Sequence, residues 1–417
     1  TGANGIAIAA NTDYFVGVTT QQNDVNVLNF GQDSSFAGNK TPQGNQDSND
    51  IGDFYYAPPT GFLALCTANL PDATVIPSEH FNTVLYTGGN GSNNTAIDVS
   101  GVGFQPDFTW IKRRDGAASH GLFDAVRGVN KILSSDASDA EVTNQSDLLD
   151  EFQTDGFGLG VNAGAENVNK GGSTYVAWNW KAGGSASSNS NGSITSSVSA
   201  NAAAGFSIVA DEANGNVTSR GHGLASAPEM IIRKNRDSAR NWAVWHKDLT
   251  ANYALEGLNT TGAQVSGGNP SKYFRDINST TFSVGDDISV NANGESYISY
   301  CFHSVDGYSK VGSYTGNGSA DGPFVYCGFK PAFLMTKRID ATGGWAIYDV
   351  ARDTYNALTR QLYPDGNYVE GNSANYAIDF VSNGFKIKTL NTSINVNNGN
   401  YIFLAFAESP FKNSNAR

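Results

Sequence analysis

The sequence predicts an all-β chain of tandem antiparallel β-sandwich modules, and three observations carry that prediction. Apolar and aromatic residues alternate with polar ones at period two, as half-buried strands require. The same ordered set of strand signals occurs three times along 417 residues. Amphipathic helical stretches are scarce, the best being Ser146 to Phe152, about two turns of helix at most.

Each copy opens on a strand-like run, at residues 81–88, 206–209 and 309–316. A proline then leads an apolar run that ends in paired basic residues: Pro106 before Lys112-Arg113, Pro228 before Arg233-Lys234, Pro331 before Lys337-Arg338. An aromatic run follows at 120–124, 241–246 and 344–349, and a further strand signal at 155–159, 281–284 and 383–387. The closing strand is ring-rich in every copy, at 175–180, 297–302 and 401–406. Units of ~100 residues are the size of a two-sheet sandwich of short strands.

These landmarks set the expected boundaries. Residues 79–182 form module 1, 205–305 module 2 and 306–417 module 3, with Asp306-Gly307 so tight a junction that modules 2 and 3 should touch. Residues 183–204 are rich in Gly, Ser and Asn and read as a flexible linker. Residues 1–71 are too short and irregular for a fourth copy. Strands are expected at 14–18 and 26–31, a polar loop at 33–53, and a stretch at 54–66 that packs back. This region reads as the tail of a larger sandwich, which would make the chain a fragment.

Composition narrows the function classes. Charged residues are 16% against the roughly 25% usual in soluble domains, so amides and hydroxyls hydrate the surface. With 26 basic and 39 acidic residues the net charge is −13, and no basic tract stands out for phosphate or an anionic membrane. No apolar run approaches the ~18 residues of a spanning helix. Cys66, Cys301 and Cys327 make no metal-binding spacing. Three buried thiols acting as small hydrophobes is the simpler reading, and a Cys301–Cys327 bridge is the alternative.

Several segments resemble a module recurrent in structural proteins of tailed phages, marine ones especially. In module 1 these are Gly103-Phe104-Gln105-Pro106-Asp107 through Lys112, Asp124-Ala125-Val126-Arg127-Gly128, and residues 174–184. The end, Phe406-Ala407-Glu408-Ser409-Pro410-Phe411-Lys412 through Arg417, is similar to the C-termini of those proteins. Residues 25–71, with Asn29-Phe30-Gly31-Gln32 and Pro58-Pro59-Thr60-Gly61-Phe62, resemble the closing strands of a SPRY-like sandwich. The resemblance implies a virion surface protein assembled in the host cytoplasm, a tail fibre or comparable appendage built of concanavalin-like jelly rolls. It implies no catalytic residues.

The residues themselves offer little chemistry. His80, His120, His222, His246 and His303 are the only imidazoles, and His120 and His246 fall near equivalent places in two modules. No nucleophile elbow or zinc-protease helix motif is present. Carboxylates recur at Asp107, Asp115, Asp124 and Asp155, and again at Asp340, Asp349, Asp353 and Asp379, scattered among turns. A glycosidase would need two of them in one cleft. Arg127 and Arg352 follow Asp124 and Asp349 by three residues, a spacing that suits an Asp–Arg pair pinning a loop or a contact to a ligand carboxylate. Module 2 has Lys247-Asp248 instead.

No cofactor is expected. Calcium, the usual ion of lectin-like sandwiches, would look to Asn90-Gly91-Ser92-Asn93-Asn94 or Asp286-Asp287, neither with the spacing of a calcium loop. Sugar binding would need exposed rings. Trp178, Trp180, Trp242, Trp245 and Trp345 lie in strands and are assigned mostly to cores, whereas Tyr253, Tyr273, Tyr363 and Tyr368 sit in polar loops and are the candidate ligand contacts.

The expected function is therefore non-enzymatic: display of lectin-like modules for recognition of a host-surface glycan. Capsid decoration or filament formation without a ligand is the alternative, and a polysaccharide depolymerase a more distant one. Expected partners are other virion proteins and the chain itself, as a homo-oligomer, a trimer if it follows tail fibres; nucleic acid and membrane are not among them.

Overall fold

The computed structural model describes residues 27–70, 74–89, 95–143, 148–161, 167–251, 253–266 and 272–410. The chain divides into two units, residues 1–71 and 72–417. The first has little regular structure among its described residues. The strand expected at 14–18 lies outside them, and residues 27–31 form a loop rather than the expected strand. Its organiser is Asp47, whose carboxylate accepts from the backbone N–H of Asn49 (2.8 Å), Ile51 (3.1 Å) and Ala64 (2.7 Å). Residues 54–66 do pack back, through paired bonds between Asn45 and Phe54 and a Leu65 N–H to Phe30 carbonyl bond of 2.8 Å.

The second unit is all-β. Module 1 contributes β1 (Phe81–Thr87), β2 (Ile97–Ser100), β3 (Phe108–Arg113), β4 (Gly121–Asp124), β5 (Leu149–Gln153), β6 (Gly156–Leu159) and β7 (Thr174–Trp180). Next come β8 (Ser187–Asn189), β9 (Ser196–Asn201), β10 (Phe206–Glu212), β11 (Thr218–Gly221), β12 (Met230–Asn235) and β13 (Ala243–His246). Module 2 ends with β14 (Tyr253–Ala254), β15 (Val265–Ser266), β16 (Phe274–Arg275), β17 (Thr281–Val284) and β18 (Ser296–Phe302). Module 3 has β19 (Ser309–Thr315), β20 (Phe324–Tyr326), β21 (Phe329–Arg338), β22 (Trp345–Asp349), β23 (Arg360–Gln361), β24 (Gly371–Asn372), β25 (Ile378–Val381), β26 (Gly384–Ile387) and β27 (Asn400–Pro410).

Every module is a sandwich of one large and one small antiparallel sheet. The large sheets run β1-β7-β3-β4, β8-β9-β10-β18-β12-β13 and β19-β27-β21-β22. The small ones run β2-β6-β5, β11-β17-β16 and β20-β26-β25. The register makes first, middle and last strands equivalent: Phe81 faces Trp180, Phe206 faces Phe302 and Ser309 faces Phe406.

Two expectations fail here. Leu149–Gln153, which overlaps the stretch at 146–152 read as a short helix, is strand β5, because its backbone pairs antiparallel with β6 and Leu149 is buried in the core of module 1. Residues 183–204 are not a flexible linker. They carry β8 and β9, with Ser196, Val198 and Ser199 buried. Serine suits such a strand because its hydroxyl can bond nearby backbone, as Ser196 does to the Gly221 carbonyl at 3.0 Å.

Alternation along each large sheet feeds two different cores. In the closing strands, Tyr175 and Ala177, Tyr297 and Cys301, Tyr401 and Phe403 point to the small sheet of their own module. The opposite faces carry Val176, Trp178 and Trp180, then Ile298, Tyr300 and Phe302, then Ile402, Leu404 and Phe406. All nine belong to a single cluster shared by the three modules. Rings cross every boundary: Phe81 stacks on Phe406 at 4.9 Å, Phe108 on Tyr300 at 4.3 Å, and Phe302 meets Phe406 edge-on at 6.1 Å. The void left at its centre is about 10 Å³, no more than one water's space. The three sandwiches thus complete one another's interiors instead of standing as successive separate bodies.

Because the inner face of each large sheet is buried only by its neighbours, residues 72–417 should unfold in one cooperative calorimetric transition. Three resolved transitions would contradict the shared core. Phe406→Ala, at the meeting point of all three modules, should cost ~3–5 kcal/mol and lower that single transition without splitting it.

Candidate functional site

The junctions between modules are the most highly built polar sites in the molecule, and they repeat in a cycle. The lysine of each basic pair is buried and donates to backbone carbonyls of a neighbouring module. Lys112 reaches the Asn367 carbonyl (3.5 Å), Lys234 that of Ser138 (3.2 Å), and Lys337 those of Thr261 (3.3 Å) and Gly262 (2.8 Å). Module 1 therefore holds module 3, module 2 holds module 1, and module 3 holds module 2. Burial pulls all three amines down to about 8.

Backbone pairs close the same three seams. Ala118, Arg240 and Gly343 N–H donate to Asn367, Ser138 and Thr261 (2.9, 2.8 and 2.9 Å). In return Glu370, Glu141 and Gln264 donate to the carbonyls of Arg114, Arg236 and Ile339 (3.0, 2.8 and 2.9 Å). A ring nitrogen completes each seam: Trp242 donates to the Ser134 carbonyl at 2.9 Å, Trp345 to Gly257 at 3.2 Å, and His120 Nε2 lies 2.9 Å from the Tyr363 carbonyl.

Those bonds correct the histidine alignment. Strand pairing places Asp124, His246 and Asp349 opposite Phe108, Met230 and Phe333, so His246 is the counterpart of the two aspartates. His120 corresponds instead to Trp242 and Trp345. A Trp and a His can exchange there because each offers a ring nitrogen at the seam.

The Asp–Arg motif is structural. Asp124 and Asp349 pair with the buried guanidiniums of Arg127 and Arg352, and each aspartate also accepts from another module: from the Tyr300 hydroxyl (2.8 Å) and the Trp178 indole (3.0 Å). Glu141 joins Arg127 (3.1 Å) to Arg236 (2.8 Å), and Glu370 joins Arg352 (3.2 Å) to Arg114 (2.9 Å), extending both pairs across a seam. In module 2 the inter-sheet ion cluster is separate. Asp211 binds Arg220 and Arg233, both at 2.6 Å; against the effect of burial, the guanidiniums hold its carboxyl below the usual range.

The remaining carboxylates anchor loops. Asp107 accepts from Ala182 and Gly184 N–H (2.7 and 3.1 Å), Asp155 from Gly101 and Gly103 (3.1 and 2.6 Å), and Asp353 from Thr359 and Arg360 (both 2.7 Å). Asp115 and Asp340 each pair with an arginine two residues back at 2.7 Å, and Asp379 lies 3.9 Å from Lys388. Among the described residues no three His, Cys, Asp or Glu side chains converge as a metal site. Asn90 to Asn94 lie outside them, while Asp287 caps a short helix by accepting from Ser289 N–H at 2.8 Å. Cys301 and Cys327 are free thiols in the separate cores of modules 2 and 3, so the alternative of a bridge fails. Cys66 is exposed rather than buried, because the side chains of its stretch, residues 62–69, pack little against the rest of its unit.

The four candidate tyrosines divide. Tyr273 is buried, its hydroxyl donating to Glu256 and its ring under the Lys272 ammonium at 4.8 Å, so its expected exposure is wrong. Tyr253 is half-buried against the shared core. Tyr363 is half-buried beside the module 1 seam, and Tyr368 is 64% exposed with its ring edge-on to Tyr363 at 5.9 Å. Sequence reading missed Tyr326 and Tyr355, 61% and 80% exposed, because period-two position and loop position do not reveal which side of a sandwich is covered. Trp178, Trp180, Trp242 and Trp345 are buried as expected, and Trp245 is half-buried.

A repeated asparagine also escaped notice. Asn169, Asn291 and Asn395 each stand six residues before the closing-strand tyrosine, fully buried. Each amide donates to two loop carbonyls: Thr95 and Gly160, Asn216 and Gly285, Ser319 and Thr389. The spacing Asn-x5-Tyr was the signal that could have found them.

An all-β body of three interlocked sandwiches is the class these features define. The chain belongs to the family described as a domain of unknown function, DUF7483, whose model matches residues 76–410, that is, all three modules together. No curated protein and no solved structure matches it.

Two outcomes test the seams and their neighbours. Lys337→Met should cost ~2–3 kcal/mol by denaturant unfolding, since its carbonyl partners stay buried without a donor, whereas Arg338→Ala, on a partly exposed ion pair, should cost under ~1 kcal/mol. His246 is held neutral by burial, its value lowered to about 4. A lowered folded-state value means the unfolded chain binds the extra proton first, so stability should fall as pH drops from about 6.5 to about 4, by roughly 3 kcal/mol for this group. His246→Asn should flatten that part of the pH–stability curve.

Proposed function

We propose that this protein is a virion-surface structural protein of a tailed phage, a tail fibre or comparable appendage, whose outward loops contact a host-surface glycan. The observation that carries the reading is repetition of framework without repetition of exposed chemistry. Buried lysines, asparagines and ring nitrogens recur at equivalent places in the modules, while the outward loops differ in sequence and length. The resemblance of residues 103–112, 124–128 and 174–184 to phage structural modules supports the same reading. Weak contacts on several loops would gain strength from many copies on one particle.

Tyr368, with Tyr363 behind it, is the ring best placed to take a pyranose face. A purely structural role, as a decoration or filament protein, is favoured instead by the internal contacts that occupy Tyr253 and Tyr273. Gold-labelled antibody against the chain should mark a tail appendage on intact particles; label on the capsid alone or on no particle would refute the appendage. A glycan array should give a specific signal that Tyr368→Ala reduces at least tenfold, and a blank array would leave the structural role.

A further inference from the structure

The three sandwiches have an equivalent open side, where the first strand of the large sheet and the first strand of the small sheet both present an edge. In module 2 that side is β10 and β11, and the chain itself covers it. Strand β9 pairs with β10 from Phe206↔Asn201 to Ala210↔Ser197, and β8 adds outside β9. The connecting residues then run along β11: the Ile194 N–H donates to the Ser219 carbonyl at 3.0 Å, and the Ser193 hydroxyl accepts from Ser219 N–H at 2.9 Å. Residues 187–201 are thus a strap across both edges, with Val198 seated opposite Val209 in the module's core.

In module 1 the same side is bridged by a side chain, the Asn82 amide donating to the carbonyls of Gly101 (3.4 Å) and Val102 (3.1 Å). In module 3 neither device is present among the described residues. Strand β19 pairs only with β27, and β20 only with β26. Between their edges lies an open groove of about 510 Å³, lined by residues 310–315, 323–326, Phe403, Lys247 and Asp248. Its floor is apolar at one point. Gly312 stands where module 2 has Val209, and without a side chain there the Phe403 ring approaches to within 2.8 Å of where a Cβ would be. Phe324 and Tyr326 rise at the rim, 48% and 61% exposed. The near end of the β19 edge is already satisfied, Ser309 N–H by Val305 and Val311 N–H by the Ser304 hydroxyl. Ser313 and Thr315, both exposed, continue the edge into the groove.

We propose that this groove accepts an extended strand donated by a partner polypeptide, Ser/Thr/Asn-rich like residues 187–201, with one apolar side chain placed over Gly312. The β19 edge supplies main-chain bonds, the mode by which a strand is added to a sheet, and the Phe403–Val325 floor supplies the side-chain pocket. Internal precedent names the occupant: the same chain closes the homologous groove with that chemistry. Apolar surface at the rim, Phe324 and Tyr326, would be covered by the added strand as Val198 covers its counterpart.

The test uses the full chain and a fluorescent peptide of residues 187–201, whose own site in module 2 is already filled intramolecularly. Saturable binding by anisotropy is expected, weakened at least tenfold when the peptide is N-methylated on alternate residues. The variant Ser313→Pro, which deletes one exposed edge donor, should weaken it by a similar factor while leaving the unfolding midpoint nearly unchanged. Absence of saturation at millimolar peptide, or binding indifferent to N-methylation and to Ser313→Pro, would overturn the proposal. Concentration-dependent dimers abolished by Ser313→Pro would overturn it too, since a second copy would then own the groove.

Discussion

The structure depends on one arrangement: three β-sheets that each have two apolar faces and only one small sheet to cover them. A sheet in water can leave one face solvated, but not a face carrying Trp178, Trp180, Tyr300, Phe302, Leu404 and Phe406. Burying each large ring contributes about 1.5–3 kcal/mol, so the second face demands a partner. The cheapest partner is another copy of the same face, and three copies close around a common interior.

Closure of that kind creates seams, and the polar repeats are placed at them. A buried ammonium is costly unless backbone carbonyls surround it, and each module's lysine finds them on a neighbour. The direction is the same at all three seams, module 1 to 3, 3 to 2 and 2 to 1, which is what a cyclic assembly of equivalent units produces when its units are joined in one chain. The family match over residues 76–410 has the same extent, taking in the three modules as one body.

Symmetry also explains where the modules diverge. Residues at seams and cores are tied to an equivalent geometry, and some keep their bond through a change of residue, as His120, Trp242 and Trp345 do. The Asp–Arg pair is an exception, replaced in module 2 by His246 at the aspartate's place. Loops and sheet edges carry no such tie. The edge beside the first strand is strapped by the chain in module 2, tied by Asn82 in module 1 and, among the described residues, left open in module 3.

Local pattern alone determined much of this molecule. Period two in Tyr175 to Trp180 and its two counterparts gave the strands, their order gave three modules, and the Asp124–Arg127 and Asp349–Arg352 spacing gave two buried ion pairs. Periodicity reports only that a side chain alternates, however, not what its second face meets. Residues 183–204 show the consequence: their Ser-rich composition has the pattern of a coil until an unpaired edge at β10 offers it bonds. Which module Lys337 reaches, and that three sandwiches share one interior, were decided by contacts between residues about 75 to more than 300 positions apart, and whether Tyr273 or Tyr326 is the exposed ring by which side of a packed sandwich each one meets. Such contacts exist only once the sheets have packed.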